Sequence, residues 1–244
     1  MNIDEALDFE QSGLSDHFIS NDGVNKDESN AFVGAIAGTV EDWEELVACY
    51  KGALMEMKTR FEILNEQFAV RYGESPIESI KARLKKPASI HDKLVRLDAP
   101  LTVSSIEENI EDVAGIRVIC SFMNDIYMLA DCLKNQDDLK VITEKDYIKE
   151  PKPNGYRSLH IIVETPIFLR QGKKKVRVEI QFRTIAMDFW ASLEHKIRYK
   201  KNIPESVVKK LGMDLKSTAE LANLLDERMQ EVRDDMRKPF DWYE

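Results

Sequence analysis

From Val176 to Phe182 apolar and polar side chains alternate without a break: Val176-Arg177-Val178-Glu179-Ile180-Gln181-Phe182. A period of two is that of a β-strand with one face in a core, and it sets Arg177, Glu179 and Gln181 side by side on the other face. Ile80, Ala82 and Leu84 alternate in the same way with Lys81, Arg83 and Lys85, until Pro87 ends the pattern. The run from Ala114 to Cys120 is apolar but for Arg117 and reads as a central strand. Residues 139–144 and 158–164 complete a set of five predicted strands.

Between them the period changes to that of helices. Trp43, Val47, Tyr50, Leu54, Met57, Phe61, Leu64 and Phe68 recur in steps of three and four, predicting a long helix from residue 39 to about Gly73. So aromatic a stripe is expected to pack on the chain's own sheet rather than in a coiled coil. Shorter helices are expected around Ile90 and Leu94 with Leu97, around Ile106 and Ile110, over Ile126 to Leu133, and from about Thr184 to Lys200. The tail from Glu205 to about Arg237 has apolar residues at helical spacing from Val208 to Met236, with Gly212 as a point where two helices could divide. Strands interleaved with helices imply a mixed α/β (α+β) sheet flanked by helices, the terminal ones long. The expected division is an acidic, disordered arm over 1–38, one main domain over 39–202, and a helical oligomerisation segment over 203–244.

Charge and cysteines narrow the chemistry. The net charge is −9, and the first 30 residues carry eight acids and one lysine, so the body is almost balanced. That argues against broad binding of duplex nucleic acid, which depends on neutralising many phosphates; any basic site must be local. Cys49, Cys120 and Cys132 form no Cys-x-x-Cys pair, and they indicate neither a disulfide framework nor zinc. No run of roughly 18 apolar residues or secretory leader is present, so a cytoplasmic location is expected.

Several residues could carry chemistry. Asp112 stands just before the strand from Ala114, and Glu179 lies on the polar face of another. Should the two strands be neighbours, both acids could hold one Mg²⁺, a hard cation that takes one or two carboxylates plus phosphate oxygens. The bland alternative is a helix-end aspartate and a solvated strand acid paired with Arg177 and Arg183. Lys81-Ala82-Arg83-Leu84-Lys85-Lys86, with Ser89 and Lys93, could grip a polyphosphate, or could be a solvated strand face. Lys152-Pro153-Asn154-Gly155-Tyr156 makes a rigid turn presenting Tyr156 next to a strand with His160. No Gly-x-x-x-x-Gly-Lys-Ser/Thr, Gly-x-Gly-x-x-Gly, His-Glu-x-x-His or Gly-x-Ser-x-Gly occurs. Metal-dependent phosphate chemistry without a P-loop remains.

Five ordered blocks carry a more specific signal: Arg83-x-Lys85-x-x-x-Ser89-x-x-x-Lys93, Glu111 to Arg117, Asn154 to His160, Glu179 to Thr184, and Asp188 to His195. Together they resemble the RelA/SpoT synthetase family, in particular its single-domain small alarmone synthetases, over roughly residues 40–230. The resemblance implies a nucleotidyltransferase-like mixed sheet and transfer of pyrophosphate from ATP to the 3′-hydroxyl of GTP or GDP, with release of AMP. It implies Asp112 and Glu179 as catalytic, Mg²⁺-binding acids, Glu179 alternatively helping to deprotonate the acceptor hydroxyl. It assigns Arg83 and Arg117 to the adenine of ATP, and Lys85, Ser89 and Lys93 to its phosphates. Tyr156 would stack on guanine, with Lys152 and His160 near the acceptor's phosphates or ribose, and Gln181, Asp188, Glu194 and His195 lining the same side. Some relatives have an asparagine for guanine where this chain has Asp188, whose carboxylate can also accept from guanine. His91-Asp92 is a solitary pair, so synthesis without hydrolysis is expected. The resemblance also implies a homotetramer. Single-stranded RNA or the alarmone product are candidate regulators, and the alternatives are an RNA-binding protein, through Lys173-Lys174-Lys175 or the basic strand, or another metal-dependent nucleotidyltransferase.

Overall fold

The computed structural model describes residues 40–198 and 205–237; the acidic arm and the last turn expected of the 184–200 helix lie outside them. Helix α1 (Val40–Tyr72) leads into strand β1 (Ile77–Leu84), helices α2 (Pro87–Arg96) and α3 (Val103–Asn109), and strand β2 (Ala114–Cys120). Helix α4 (Met123–Lys134) precedes β3 (Lys140–Asp146), β4 (Leu159–Leu169) and β5 (Gly172–Thr184), and helices α5 (Ile185–Arg198) and α6 (Glu205–Met236) follow.

The strands form one mixed sheet in the order β1-β2-β5-β4-β3. Helix α4 carries the chain from β2 to β3, and two antiparallel pairings return it to β5, which lies parallel to β2 with Gly115 opposite Glu179. The middle strand is therefore β5; β2 is its interior neighbour rather than the centre. Both β4 and β5 run further than their alternation suggested, through Pro166 and Lys173–Lys175, so the three lysines lie on a strand and not in a loop.

Residues paired across neighbouring strands share a face. Ile80, Ala82, Ile116, Val118, Val178, Ile180 and Phe182 fall on one, and α1 closes it with Trp43, Val47, Tyr50, Leu54, Met57 and Phe61, all buried. The Phe61 and Phe182 rings meet edge to face, 5.6 Å between centroids. The sheet-packing reading of the α1 stripe holds. The other face carries Lys81, Arg83, Arg117, Glu179, Gln181 and His160, a polar surface over a continuous core.

Helix α6 is continuous through Gly212. A mid-helix glycine costs only about 1 kcal/mol relative to alanine, too little to break a helix of this length. Its middle turns pack Leu215, Ala219 and Ala222 into a small apolar cluster with Trp190, and its later turns dock through polar groups: Thr184 Oγ1 donates to Asp226 Oδ2 at 2.7 Å, Asn124 N to Gln230 Oε1 at 3.2 Å, and Arg233 to Asp125 at 2.7 Å. Leu221, Leu224, Leu225, Met229, Val232 and Met236 are left exposed.

Candidate active site

Strand β1 ends where Pro87 opens α2, and that junction aims two lysines at one acid. Lys85 Nζ donates to Asp112 Oδ2 at 2.7 Å and Lys93 Nζ to Oδ1 at 2.6 Å. Burial pushes the Asp112 carboxyl up, but the two ammonium donors outweigh it and hold the group below its usual range. The ion pair is not sealed, since the Asp112 side chain keeps 21% of its exposure. Ser89 is exposed in the first turn of α2.

Glu179 rises from β5 beside Gly115 of β2. His160 Nδ1 lies 3.0 Å from its Oε1, and Gln181 Nε2 donates to Oε2 at 2.9 Å. Burial raises this carboxyl as well and its contacts to His160 lower it further, so it too sits below the ordinary glutamate value; the Asp112 charge is felt here and opposes ionisation. The two acids come from separate parts of the chain and feel each other's charge, which a cation bound beside them would offset. Among the described residues no cluster of three metal-ligating side chains occurs, so a cation here must draw further ligands from a substrate. The residues fit Mg²⁺ on these terms.

A third acid organises the cations. Asp188, in the first turn of α5, accepts from Arg117 Nη1 at 2.8 Å, Arg183 Nη1 at 3.0 Å and Lys81 Nζ at 3.2 Å. Burial opposes its ionisation, and the three cations overcome that and hold it low. Arg117 is desolvated beside Arg183, which brings its guanidinium down to about 10. Next to this hub a cleft is lined by Lys81, Arg83, Gly115, Ile116, Arg117 and Gln181, with Arg83 lying across Gly115.

On the far side of Glu179 the chain of contacts continues. His160 Nε2 is 2.8 Å from the Tyr156 hydroxyl, to which Arg183 Nη2 also donates at 2.8 Å. Tyr147 meets both the Tyr156 and His160 rings edge-on, and Lys152 Nζ lies 4.6 Å from the Tyr147 ring centre and 4.9 Å from that of Tyr156. Asn154 Nδ2 donates to Glu194 Oε1 at 3.2 Å, tying the loop to α5; His195 is exposed on that helix.

The expected donor residues Arg83, Lys85, Lys93 and Arg117 and the acids Asp112 and Glu179 therefore share one side of the sheet with Tyr156, His160 and Gln181. Lys81 was expected only as one cation of the basic segment and Arg183 only as an ion-pair neighbour of Glu179, and Tyr147 was not singled out, although two-residue spacing puts Lys81 beside Arg83 and Arg183 beside Gln181. On β5, Lys174 pairs with Glu107 at 2.7 Å and Lys175 with Glu164 at 3.0 Å, so this segment presents less open charge than three consecutive lysines suggest.

Residues 82–204 match the model of the region found in RelA/SpoT proteins. The chain belongs to the RelA/SpoT family. It is 47% identical over 194 residues to the GTP pyrophosphokinase YwaC of Bacillus subtilis, covering 80% of this chain and 91% of that protein. Small alarmone synthetase 1 from B. subtilis, crystallised with its product pppGpp, superposes with a TM-score of 0.73 at 38% identity over 81% of this chain and all of the other. The same enzyme bound to AMPCPP gives a TM-score of 0.67 at 33% identity, covering 81% and 99% of the two chains. These likenesses cover more of the chain than the RelA/SpoT region alone. No helix among the described residues is long and apolar enough to cross a membrane.

Proposed function

We propose that this RelA/SpoT-family chain is a (p)ppGpp synthetase, a GTP pyrophosphokinase that transfers pyrophosphate from ATP to the 3′-hydroxyl of GTP or GDP and releases AMP. Besides the kinship, the observation that carries the reading is the single polar face on which the Asp112 and Glu179 carboxylates meet two groups of cations. Arg83 and Arg117 are diagonal neighbours across the β1–β2 pair, about 7–8 Å apart along the backbone. That spacing admits one flat ring between two guanidiniums, which supports reading the cleft as the place of adenine. Lys85 and Ser89, at the α2 N-terminus, and Lys93, in its last turn, then meet the phosphates of ATP.

Asp112 and Glu179 would hold Mg²⁺, which when bound offsets charge on the phosphates and polarises the β-phosphoryl group. The protein's own part is placement and charge. Tyr156 stacks on guanine, Lys152 and His160 face the acceptor's ribose and phosphates, and Gln181 steadies Glu179 from below. The acceptor oxygen bonds to the β-phosphorus, its proton passing to Glu179 as that bond forms, while the bond from that phosphorus to the α–β bridging oxygen breaks and leaves AMP, with Lys85 and Lys93 offsetting charge on the departing group. A carboxyl held below its ordinary value is a good ligand and hydrogen-bond acceptor but a weak base. Glu179 is therefore assigned to ligation and to orienting the hydroxyl, and as a weak base it takes the proton only as the new bond forms. Asp188, engaged by three cations, is assigned to ordering Arg117 and Arg183 beside the bases; Glu194 and His195 border the acceptor side.

The enzyme is read as synthesis-only, in the cytoplasm and as a homo-oligomer, a tetramer by family likeness, built on the exposed apolar residues of α6. His91 and Asp92, 3.4 Å apart on the surface of α2, serve no phosphate site in this reading. Incubating the purified chain with ATP, GTP or GDP and Mg²⁺ and separating the nucleotides by anion exchange is the test. AMP with a hyperphosphorylated guanosine supports it; pyrophosphate release would mark another nucleotidyltransferase, and no turnover would favour a binding protein.

A further inference from the structure

The loop bearing Lys152 and Tyr156 is closed on itself. Gly155 N donates to the Lys152 carbonyl at 2.8 Å, Lys152 N to the Tyr156 carbonyl at 3.1 Å, and Tyr156 N to Asn154 Oδ1 at 3.2 Å. So tight a loop shifts as one body, and its seat is α6. Gly155 has φ +91°, and a Cβ built on it would stand 2.5 Å from the Ala219 Cβ, far inside any real contact. Tyr156 packs against the buried cluster of Trp190 and Ala191 on α5 and Ala219 on α6, which Leu215 and Ala222 of α6 also pack against. The seat is braced in turn, because Trp190 Nε1 donates to the Leu215 carbonyl at 3.0 Å and to Thr218 Oγ1 at 3.2 Å.

From this packing we infer that Ala219 is a positioning residue for the acceptor nucleotide: its methyl group sets how closely the Gly155 turn approaches α6, and so where the Tyr156 ring stands. The inference rests on the reading of Tyr156 as the guanine platform. It reaches one substrate only. Arg83, Lys85, Lys93 and Arg117 lie on β1, α2 and β2, none of which belongs to this seat, so a change at Ala219 moves the guanine site and leaves the ATP site in place. A bulkier side chain lifts the loop by a fraction of an ångström to an ångström, a displacement that can cost up to about a hundredfold where positioning matters.

Calorimetric titration of the full chain with GDP, and separately with AMPCPP, tests this. Ala219→Val is expected to weaken GDP by about tenfold or more and AMPCPP by less than about twofold, with Ala219→Ser close to the unaltered protein. Unchanged GDP affinity in folded Ala219→Val, or equal loss for both nucleotides, overturns the inference. If Ala219→Val does not fold, Leu215→Ala decides: it removes volume from the same cluster, should weaken GDP selectively, and overturns the inference if GDP binding stays the same. Tyr156→Ala separates the two levels. Unaltered GDP binding in that variant overturns the guanine-platform reading together with this inference, whereas a loss there beside an unaffected Ala219→Val overturns the inference alone.

Discussion

Asp188 on α5 and Arg117 on β2, 71 residues apart in the chain, are joined by a 2.8 Å hydrogen bond from Nη1 to Oδ1. The same oxygen receives Arg183, and the other receives Lys81. Three cations thus depend on one carboxylate that is mostly out of water, so its removal leaves them repelling one another in a poorly solvated place. Asp188→Ala should cost about 3–5 kcal/mol, the range for breaking a buried ion pair from one side. Urea unfolding measures it. Because Arg117 also loses its tether, the variant's KM for ATP should rise, and a loss of less than about 1 kcal/mol with ATP binding intact would remove Asp188 from the role of organiser.

Asp112→Asn and Glu179→Gln delete charge at nearly constant volume. Each should abolish AMP release while the far-ultraviolet circular dichroism stays that of the parent, since the sheet and α1 supply the fold. Retained turnover in either would take that acid out of the reaction.

How much of this could be read beforehand depends on distance along the chain. Strict alternation put Glu179 and Gln181 on one face because a strand's period is local, and the α1 stripe declared its buried side for the same reason. That Gly115 stands opposite Glu179 is a property of two strands whose pairing no local pattern encodes. Asp188 was assigned to guanine by motif position; its three cation partners come from β1, β2 and β5 and become visible only in three dimensions. In α6 the helical period was right, but which side of its second half would meet the body was not legible. Asp226, Gln230 and Arg233 turn toward the body because they find Thr184, Asn124 and Asp125 there, while Leu225, Met229 and Val232 face away.

Tyr156 joins two tasks that separate variants can divide. Stacking of a base on an aromatic ring is worth about 1–3 kcal/mol, so Tyr156→Ala should weaken GDP by roughly 5- to 150-fold and leave ATP nearly unaffected. Tyr156→Phe keeps the ring but removes the hydroxyl that Arg183 donates to and His160 contacts. Its GDP affinity should stay within a few-fold of the parent while stability falls by about 1 kcal/mol. Equal loss of ATP and GDP binding in the alanine variant would place the ring elsewhere.

The outward residues of α6 give the assembly a test of its own. Leu225 and Met229 are 56% and 48% exposed and four residues apart, hence one above the other on the helix. Placing a charge in an apolar interface leaves it desolvated and unpaired. Leu225→Glu combined with Met229→Glu should therefore lower the mass seen by light scattering toward that of a single chain, with circular dichroism unchanged. An unaltered mass would move the interface to another surface.

Acid titration separates the carboxyls by sign. Asp112, Glu179 and Asp188 are all held below their ordinary values in the folded chain. The stability they contribute is complete above about pH 4.5 and is lost as the pH falls through the depressed values. Asp226 behaves in the opposite way. Burial between α6 and the end of β5 raises its carboxyl, and the hydrogen bond from Thr184 only partly compensates. Above the raised value the folded chain must hold a charge that the unfolded chain carries freely in water, so this group lowers stability as the pH rises through it. Asp226→Asn keeps an oxygen for the Thr184 hydroxyl and removes that charge. It should stabilise the protein at pH 7 and make no such gain near pH 4, as read by thermal melting at both values. A lower melting temperature for Asp226→Asn at pH 7 would mean that the charge, and not only the oxygen, is what holds α6 to the N-terminus of α5.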